Sequence, residues 1–357
     1  MTIDINQLLS IVIKKQGSDL HLVADHPPLV RVYGELDPLP QYPVLSADVC
    51  MRLVFAMLTA AQREEFEKTR ELDLSYVLKT AEGLQERFRI NAYYQRGSVA
   101  ASLRYIPHKI RTFEELNLPQ SLGELTKLNQ GFILVTGPTG HGKSTTLATM
   151  INQINLNRKC HIVTIEDPIE YAYDKGKALI SQRELRMDTY SWKGALKAVL
   201  REDPDVVLIG EMRDLETITS ALTIAETGHL VFSTLHTNSA PQTIDRIIDV
   251  FPEHQQSQIR QQLSSALSAV ICQRLAPSLT GDRLPGLEIL ISNSAVRTSI
   301  RESKSHLISN IIQTSKDLGM ITMEEYFANL VSTGRMALDV AQRYVLNPTE
   351  LRRYLRK

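Results

Sequence analysis

The sequence predicts an α/β fold in two domains, and three observations support this. Four apolar runs after residue 130 alternate with segments of helical periodicity, as is typical of parallel strands covered by helices on both faces. A length of 357 residues favours two domains over one. Residues before 110 follow another pattern, in which short strand candidates are mixed with helices.

The first domain is predicted to span residues 1–110 as a mixed α/β unit. Residues 5–14 form a helix, "DLHLV" and "PLVRVYGEL" form strands around a turn at Gly34, and one long helix starts at the N-cap Ser46. Three strands follow, "ELDLSYVL", "ERFRINAYYQ" and "SVAASLRYI", separated by Gly83 and Gly97. Pro107 and "HKIRTFEELNLP" are interpreted as the linker.

The second domain is predicted to span residues 111–357. Its parallel strands are "FILVTG", "HIVTIED", "VVLIGEM" and "LVFSTLH". A helix with an apolar stripe at Leu147, Met150, Ile151 and Ile154 follows the first of these strands. From Pro241 onward the chain is expected to be mostly helical, apart from "GLEILI".

A phosphate-binding loop follows the first of these strands. Gly137, four residues, Gly142, Lys143 and Ser144 match G-x-x-x-x-G-K-[ST]. Glycines let backbone N–H groups turn inward around an anion, and the next helix presents its positive end. Lys143 is predicted to reach the β- and γ-phosphates of ATP and Ser144 to bind Mg²⁺. The predicted nucleotide-binding residues are Gly137, Pro138, Thr139, Gly140, His141, Gly142, Lys143, Ser144 and Thr145.

Polar residues follow the next three strands, where ligands bind in sheets of this kind. "TIEDPIEY" places three acids after one strand: Glu166, Asp167 and Glu170. "VVLIGEM" ends in Glu211, the candidate to help hold Mg²⁺ and to orient the attacking water. "FSTLHTN" ends in His236. Taken alone, each acid is equally typical of a helix cap, and the histidine of a structural contact.

Composition argues against several function classes. Lysine plus arginine equals aspartate plus glutamate at 40 each, so the basic footprint of a nucleic-acid motor is missing. Three cysteines without a C-x-x-C pair argue against zinc and disulfides. The sequence shows neither a leader peptide nor an apolar run long enough to span a bilayer. These features predict a cytoplasmic protein without direct membrane insertion.

The residues quoted above, together with "ALKAVLREDPDVVLIGEMRDLETITSALTIAETGHLVFSTLHTNSAPQTIDRIIDVFP" and "GSDLHL", resemble the PilT family. These are the type IV pilus retraction ATPases of the secretion-ATPase superfamily. The resemblance implies a PAS-like first domain, a RecA-like second domain with the P-loop NTPase core and a helical C-terminal region, and a homohexameric ring. It also implies catalytic roles for Glu170, Glu211, His229 and His236, and phosphate contacts from Arg89 and Arg104 of the first domain.

Two positions depart from the family pattern. His141 stands where the family usually has serine, and we interpret it as a solvent-facing substitution. An alternative is that it alters the γ-phosphate environment or titrates near neutral pH. In "AVRTSIRE", Ser299 replaces a leucine of the family's C-terminal retraction motif. We expect this change to leave ATP binding unaffected; the property it could alter is the coupling of the ring to pilus retraction.

The phosphate loop and the family resemblance together therefore predict a hexameric ATP-hydrolysing motor; the resemblance implies its role in pilus retraction and twitching motility. Its expected partners are further copies of itself and the inner-membrane platform protein of the pilus machine, with no nucleic acid. The alternatives are a pilus-extension or type II secretion ATPase, whose usual extra N-terminal domain and four-cysteine module this chain lacks, and a RecA-like DNA translocase, which the neutral charge argues against.

Overall fold

The computed structural model describes residues 3–32, 35–79, 85–106 and 109–356. The predicted turns at Gly34 and Gly83 and the predicted linker residue Pro107 lie outside these ranges. The chain divides into two compact units. The first comprises Met1–Lys109 and the short segment Pro168–Ala172, and the second comprises Ile110–Asp167 and Tyr173–Lys357.

In its described residues, the first unit contains one antiparallel sheet of six strands in the order β3-β2-β1-β6-β5-β4. Strands β5 and β6 form a continuous hairpin, whose pairing runs from Arg87 opposite Ile106 to Gln95 opposite Ser98. The elements are α1 Ile5–Lys14, β1 Asp19–Leu22, β2 Leu29–Val32, β3 Glu35–Pro38, α2 Ala47–Phe55, α3 Ala60–Thr69, β4 Glu71–Lys79, β5 Gln85–Gln95 and β6 Ser98–Ile106.

Helix starts in this unit follow side-chain capping. Ser46 caps α2 by accepting a hydrogen bond from the Val49 N–H, as the sequence predicted. The single long helix that was predicted after Ser46 is wrong, because the chain breaks between α2 and α3. Thr59 and Gln62 form a capping box that starts α3 as a new helix.

The second unit contains a seven-stranded sheet in the order β13-β12-β7-β11-β10-β8-β9 within its described residues. All neighbours are parallel except β12 and β13. The strands are β7 Gly131–Thr136, β8 His161–Glu166, β9 Leu179–Glu184, β10 Val206–Ile209, β11 Leu230–Leu235, β12 Leu267–Pro277 and β13 Arg283–Ile291. The four predicted parallel strands are present, whereas β12 corrects the expectation of helix after Pro241.

Helices cover both faces of this sheet. Ile133 and Val135 of β7 pack on one face with the predicted stripe of the following helix, while Phe132 and Leu134 pack on the other. The helices are α4 Ser121–Leu125, α5 Lys143–Asn157, α6 Trp192–Val199, α7 Leu215–Glu226, α8 Ala240–Asp249, α9 Glu253–Ala266, α10 Ser294–Arg301, α11 Ile308–Thr314, α12 Met323–Ser332, α13 Leu338–Tyr344 and α14 Pro348–Leu355. No helix in the described ranges has the length and apolarity to cross a membrane.

A buried acid lies in the second unit beside β12. Glu288 of β13 is the cross-strand partner of Cys272, and its Oε1 accepts a hydrogen bond of 2.7 Å from the Ala240 N–H at the start of α8. Burial raises the pKa of Glu288 to about 7, although the bond from Ala240 opposes this shift. The raised pKa means that the folded protein binds a proton at Glu288 more tightly than the unfolded chain does.

This difference predicts a pH-dependent effect of Glu288→Gln. The stability contributed by the protonated carboxyl is fully present below the ordinary pKa of about 4.5 and is lost as pH rises through about 7. We expect Glu288→Gln to raise the free energy of unfolding at pH 8.5 by about 2–4 kcal/mol more than at pH 4.5. Denaturant unfolding at both pH values measures this, with Glu253→Gln as the control for losing one negative charge from the same unit. An equal effect of Glu288→Gln at both pH values would contradict the prediction.

Candidate nucleotide site

The phosphate loop joins the end of β7 to the start of α5. Helix α5 begins at Lys143, its N-cap is Gly142, and no side chain forms a capping hydrogen bond there. Gly137, Gly140 and Gly142 have φ values of 139°, 78° and 80°, which L side chains rarely adopt. Backbone N–H groups at the helix start are therefore presented without a capping side chain, as anion binding requires.

Strand β12 packs directly behind this loop. A Cβ atom at Gly137 would lie 2.2 Å from the backbone oxygen of Gln273, and one at Gly142 would lie 2.9 Å from Gln273 Nε2. At Gly140 a Cβ would meet nothing within 4 Å. Gly137 is thus required by close packing against backbone as well as by φ. At Gly142 the nearest atom belongs to a side chain, so φ is the main requirement there, and Gly140 is required by φ alone.

The ammonium group of Lys143 is held at the base of the loop. Lys143 is 8% exposed, and its Nζ donates hydrogen bonds of 2.8 Å to the Gly137 carbonyl and 3.0 Å to the Pro138 carbonyl. A buried positive charge next to a helix N-terminus and three positive-φ glycines fits the phosphates of a nucleotide.

Glu211 follows β10 and lies near His236, which follows β11 and in turn lies near the loop after β7. Its carboxylate is 21% exposed, lies 2.5 Å from Arg213 Nη2 through Oε1, and lies 3.6 Å from His236 Nε2 through Oε2. The other ring nitrogen of His236 is 3.5 Å from Thr139 Oγ1 in the phosphate loop. The structure therefore brings together the predicted residues of the loop, of the β10 end and of the β11 end.

The acids predicted to follow β8 belong to different units of the structure. Glu166, the last residue of β8, is 8% exposed, and its Oε1 accepts hydrogen bonds from Thr164 Oγ1 at 2.6 Å and Gln182 Nε2 at 3.2 Å. Glu170 lies in Pro168–Ala172, the segment that is grouped with the first unit. The sequence placed Glu166 and Glu170 in one loop and did not indicate that they belong to different units.

His229 lies at the other end of β11 from His236. Its Nδ1 is 3.0 Å from the Ile224 carbonyl and 3.0 Å from Thr227 Oγ1, at the C-terminal end of α7. The six residues of β11 separate the two histidines by about 20 Å of extended chain. Within the second unit, His229 is therefore not part of the group around Glu211.

Arg89 and Arg104 are direct cross-strand neighbours in the first unit, on the adjacent strands that the sequence predicted. Arg104 is 69% exposed, and its Nε donates a hydrogen bond of 2.9 Å to the buried carboxylate of Asp19. Ser18 Oγ donates to the other carboxylate oxygen at 2.7 Å. Sequence reasoning missed Asp19, although it lies within the "GSDLHL" segment that carried part of the resemblance.

The solvent-facing interpretation of His141 is wrong. His141 is half-buried, and its Nδ1 accepts a hydrogen bond of 2.9 Å from the Leu275 N–H of β12. Burial lowers the pKa of His141, and the nearby charges of Arg274, Lys143 and Arg283 lower it further. These effects favour the neutral ring, as does the hydrogen bond that Nδ1 accepts from Leu275. Gln273 and Leu275 were also missed, because β12 was not recognised as a strand.

A dedicated protein cage for a metal is not present in the described residues, where no three His, Cys, Asp or Glu side chains are grouped to hold one. The candidates for Mg²⁺ are Ser144, at the start of α5, and Glu211. This donor set suits Mg²⁺, which is commonly bound by one or two protein oxygens together with substrate phosphates.

Comparisons with known proteins give a consistent result. The family described as type II/IV secretion system protein matches residues 1–283. The type IV pilus retraction ATPase PilT of Pseudomonas aeruginosa is 43% identical over 339 residues, covering 95% of this chain and 97% of that protein. A twitching motility protein of Neisseria gonorrhoeae is 45% identical over 321 residues, covering 90% and 84%.

Among solved structures, that of the pilus retraction motor PilT with bound ADP superposes with a TM-score of 0.91 at 44% identity, covering 98% of this chain and 99% of that one. The fold and the glycine loop with its lysine define a nucleotide-binding α/β protein of the secretion-ATPase type. The chain belongs to the type II/IV secretion system protein family, and within it to the PilT-type ATPases. The predicted α/β fold class and the family resemblance are confirmed, while the PAS-like assignment stays a prediction.

The packing behind the loop predicts different effects of two glycine substitutions. Gly137→Ala would push a methyl group into the Gln273 backbone and strain φ, whereas Gly140→Ala strains φ alone. We expect Gly140→Ala to cost about 1–2 kcal/mol of unfolding free energy and Gly137→Ala at least ~2 kcal/mol more. Chemical denaturation of the second unit measures both, and equal costs would contradict the packing argument.

Proposed function

We propose that this protein is an ATP-hydrolysing motor for retraction of a type IV pilus. In this proposal six copies form a ring that acts at the cytoplasmic side of the inner membrane on the platform protein of the pilus machine. The observation that carries the hydrolysis step is the connection from Thr139 in the loop through His236 to the Glu211 carboxylate. The motor role is supported by near full-length similarity to the pilus retraction ATPase PilT.

Each residue of the group has a role that follows from its position. Lys143, already bound to loop carbonyls, would bind the β- and γ-phosphates of ATP. The Glu211 carboxylate would orient the attacking water and accept its proton. His236 lies between Glu211 and Thr139, so a movement of the loop would change the position of His236 relative to the carboxylate. Ser144 and Glu211 would help to hold Mg²⁺ beside the substrate phosphates, and the bound ion would supply positive charge to the transferred phosphoryl group.

Two substitutions separate nucleotide binding from hydrolysis. Glu211→Gln keeps the shape of the side chain and removes its basicity, so we expect turnover to fall at least ~100-fold while MgADP affinity stays within about threefold. Lys143→Ala removes the buried ammonium, so we expect MgADP binding itself to be lost. Steady-state phosphate release and titration with a fluorescent ADP analogue measure these effects. Normal turnover by Glu211→Gln would remove this residue from the mechanism.

A cation from the first unit is the second part of the proposal. Charge that develops on the transferred phosphoryl group is stabilised by arginine, and an arginine finger can increase the rate by ~10³-fold or more. Arg89 and Arg104 lie side by side, and Arg104 is mostly exposed while Asp19 fixes its Nε. We infer that these two arginines contact phosphate when the ring is assembled. We assign Glu170 and His229 to the nucleotide site of the assembled ring as well, on the basis of the family resemblance.

The test compares Arg104→Ala with Arg31→Ala, since both arginines adjoin Asp19 and only Arg104 is assigned to phosphate. We expect ATP turnover per subunit to rise with protein concentration in the wild type and in Arg31→Ala, and to fall at least ~100-fold in Arg104→Ala at every concentration. Turnover that is independent of concentration and of Arg104 would mean that each subunit is complete without that arginine.

The motor role needs a cellular readout. In a bacterium whose own retraction ATPase has been deleted, we expect the wild-type chain to restore twitching and Glu211→Gln to fail at equal expression. Restored surface piliation in a bacterium that lacks its extension ATPase would instead support the pilus-extension alternative. Loss of DNA affinity on raising salt, measured by titration, would be the sign of the DNA-translocase alternative.

A further inference from the structure

Strand β12 continues past the end of its neighbour β7. The parallel pairing of the two strands ends at Cys272 opposite Thr136, but β12 runs on to Pro277. Beyond Cys272 the phosphate loop, and no longer a strand, lies along this edge of β12, as the approach of Gly137 to the Gln273 backbone shows. The backbone groups of β12 along this edge therefore need partners from the loop.

The ring of His141 provides one of these partners. Residues 273 and 275 are two apart in a strand, so their N–H and C=O groups point toward the same edge. The Leu275 N–H donates to His141 Nδ1 at 2.9 Å. An acceptor nitrogen cannot carry a hydrogen, so the hydrogen of the neutral ring is on Nε2.

Gln273 provides a second connection between loop and strand. Its Nε2 donates a hydrogen bond of 2.8 Å to the backbone carbonyl of His141, and its Oε1 accepts one of 2.7 Å from Thr146 Oγ1 in the first turn of α5. Gln273 is buried, so both ends of its amide are fixed. The backbone and the side chain of His141 are thus bound to two alternate residues of the same strand.

We propose that His141 is a positioning residue whose Nδ1 holds the phosphate loop against β12 in the shape that binds nucleotide. The residue does not touch phosphate in this role, and it acts through the Leu275 N–H. The proposal rests on the proposed function, because it concerns affinity for the nucleotide of that same site. The lowered pKa of His141 agrees with it, since a protonated ring could not accept this bond.

The role predicts a change in affinity rather than in the chemical step. Without the bond, a smaller fraction of molecules has the loop in its binding shape, so the apparent affinity falls by that fraction. A net hydrogen-bond contribution of ordinary size corresponds to a ~3- to 10-fold change. Nucleotide and transition state lose the same amount, so KM for ATP should rise while kcat stays within about twofold.

The experiment uses two nearly isosteric replacements, His141→Asn and His141→Leu, in the full chain. Asparagine places an amide oxygen close to the position of Nδ1, whereas leucine has the same branched shape without an acceptor. We expect the Kd for MgADP and the KM for ATP to rise ~3- to 10-fold in His141→Leu and to remain within about twofold of wild type in His141→Asn. His306→Ala, an exposed histidine of the same unit, is the control.

The possible results are distinguishable. Equal affinities in the wild type and His141→Leu would overturn the proposal, as would an equal loss in Leu and Asn, which would assign the effect to ring volume. A fall in kcat at unchanged KM in His141→Leu would also overturn it. Failure of the wild-type chain itself to bind MgADP would overturn the proposed function instead. Thermal unfolding of both variants near the wild-type midpoint establishes that each is folded.

Discussion

The close approach of the phosphate loop to β12 is the constraint on which the rest of the site depends. With 2.2 Å between a hypothetical Gly137 Cβ and the Gln273 oxygen, the loop has no room for a side chain there. A loop of this kind can turn its N–H groups inward around an anion, and Lys143 is held against the loop carbonyls. Because β7 ends where this contact begins, the same packing fixes where the strand stops and the anion site starts.

The parallel sheet provides the second requirement, which is to bring distant residues to one edge. β10 and β11 are direct neighbours, with Ile209 opposite Ser233, so the residues that follow them meet although they are far apart in sequence. Thr234 Oγ1 donates to the Gly210 carbonyl at 2.7 Å and joins the two strand ends. Glu211 Oε2 and His236 Nε2 are then 3.6 Å apart, so the two side chains are neighbours at this edge of the sheet. His229 precedes β11 and therefore lies at the opposite edge of the sheet, where it contacts the C-terminal end of α7.

Sequence patterns predicted the parts of the fold that are specified locally. Continuous apolar runs predicted β7, β8, β10 and β11, and the loop motif predicted the start of α5. Strand β12 was missed because it directly follows α9, without the turn residues that usually mark a strand start. Its absence from the prediction hid the partners of His141, which looked exposed when only the loop sequence was considered. The contacts of Gln273 with the loop join residues more than 120 positions apart, and no local pattern records them.

The first unit shows how a buried acid can prepare an exposed arginine. An arginine on a strand surface samples many rotamers, and ordering it at the moment of phosphate contact costs conformational entropy. Asp19 is 5% exposed, and the bond from Arg104 to it uses Nε, one of five guanidinium donors. The bond to Asp19 thereby orients the Arg104 side chain, while its planar end remains mostly in solvent. If Arg104 contacts phosphate as proposed above, Asp19 shares in that role, because it reduces the entropy cost of presenting a positive charge.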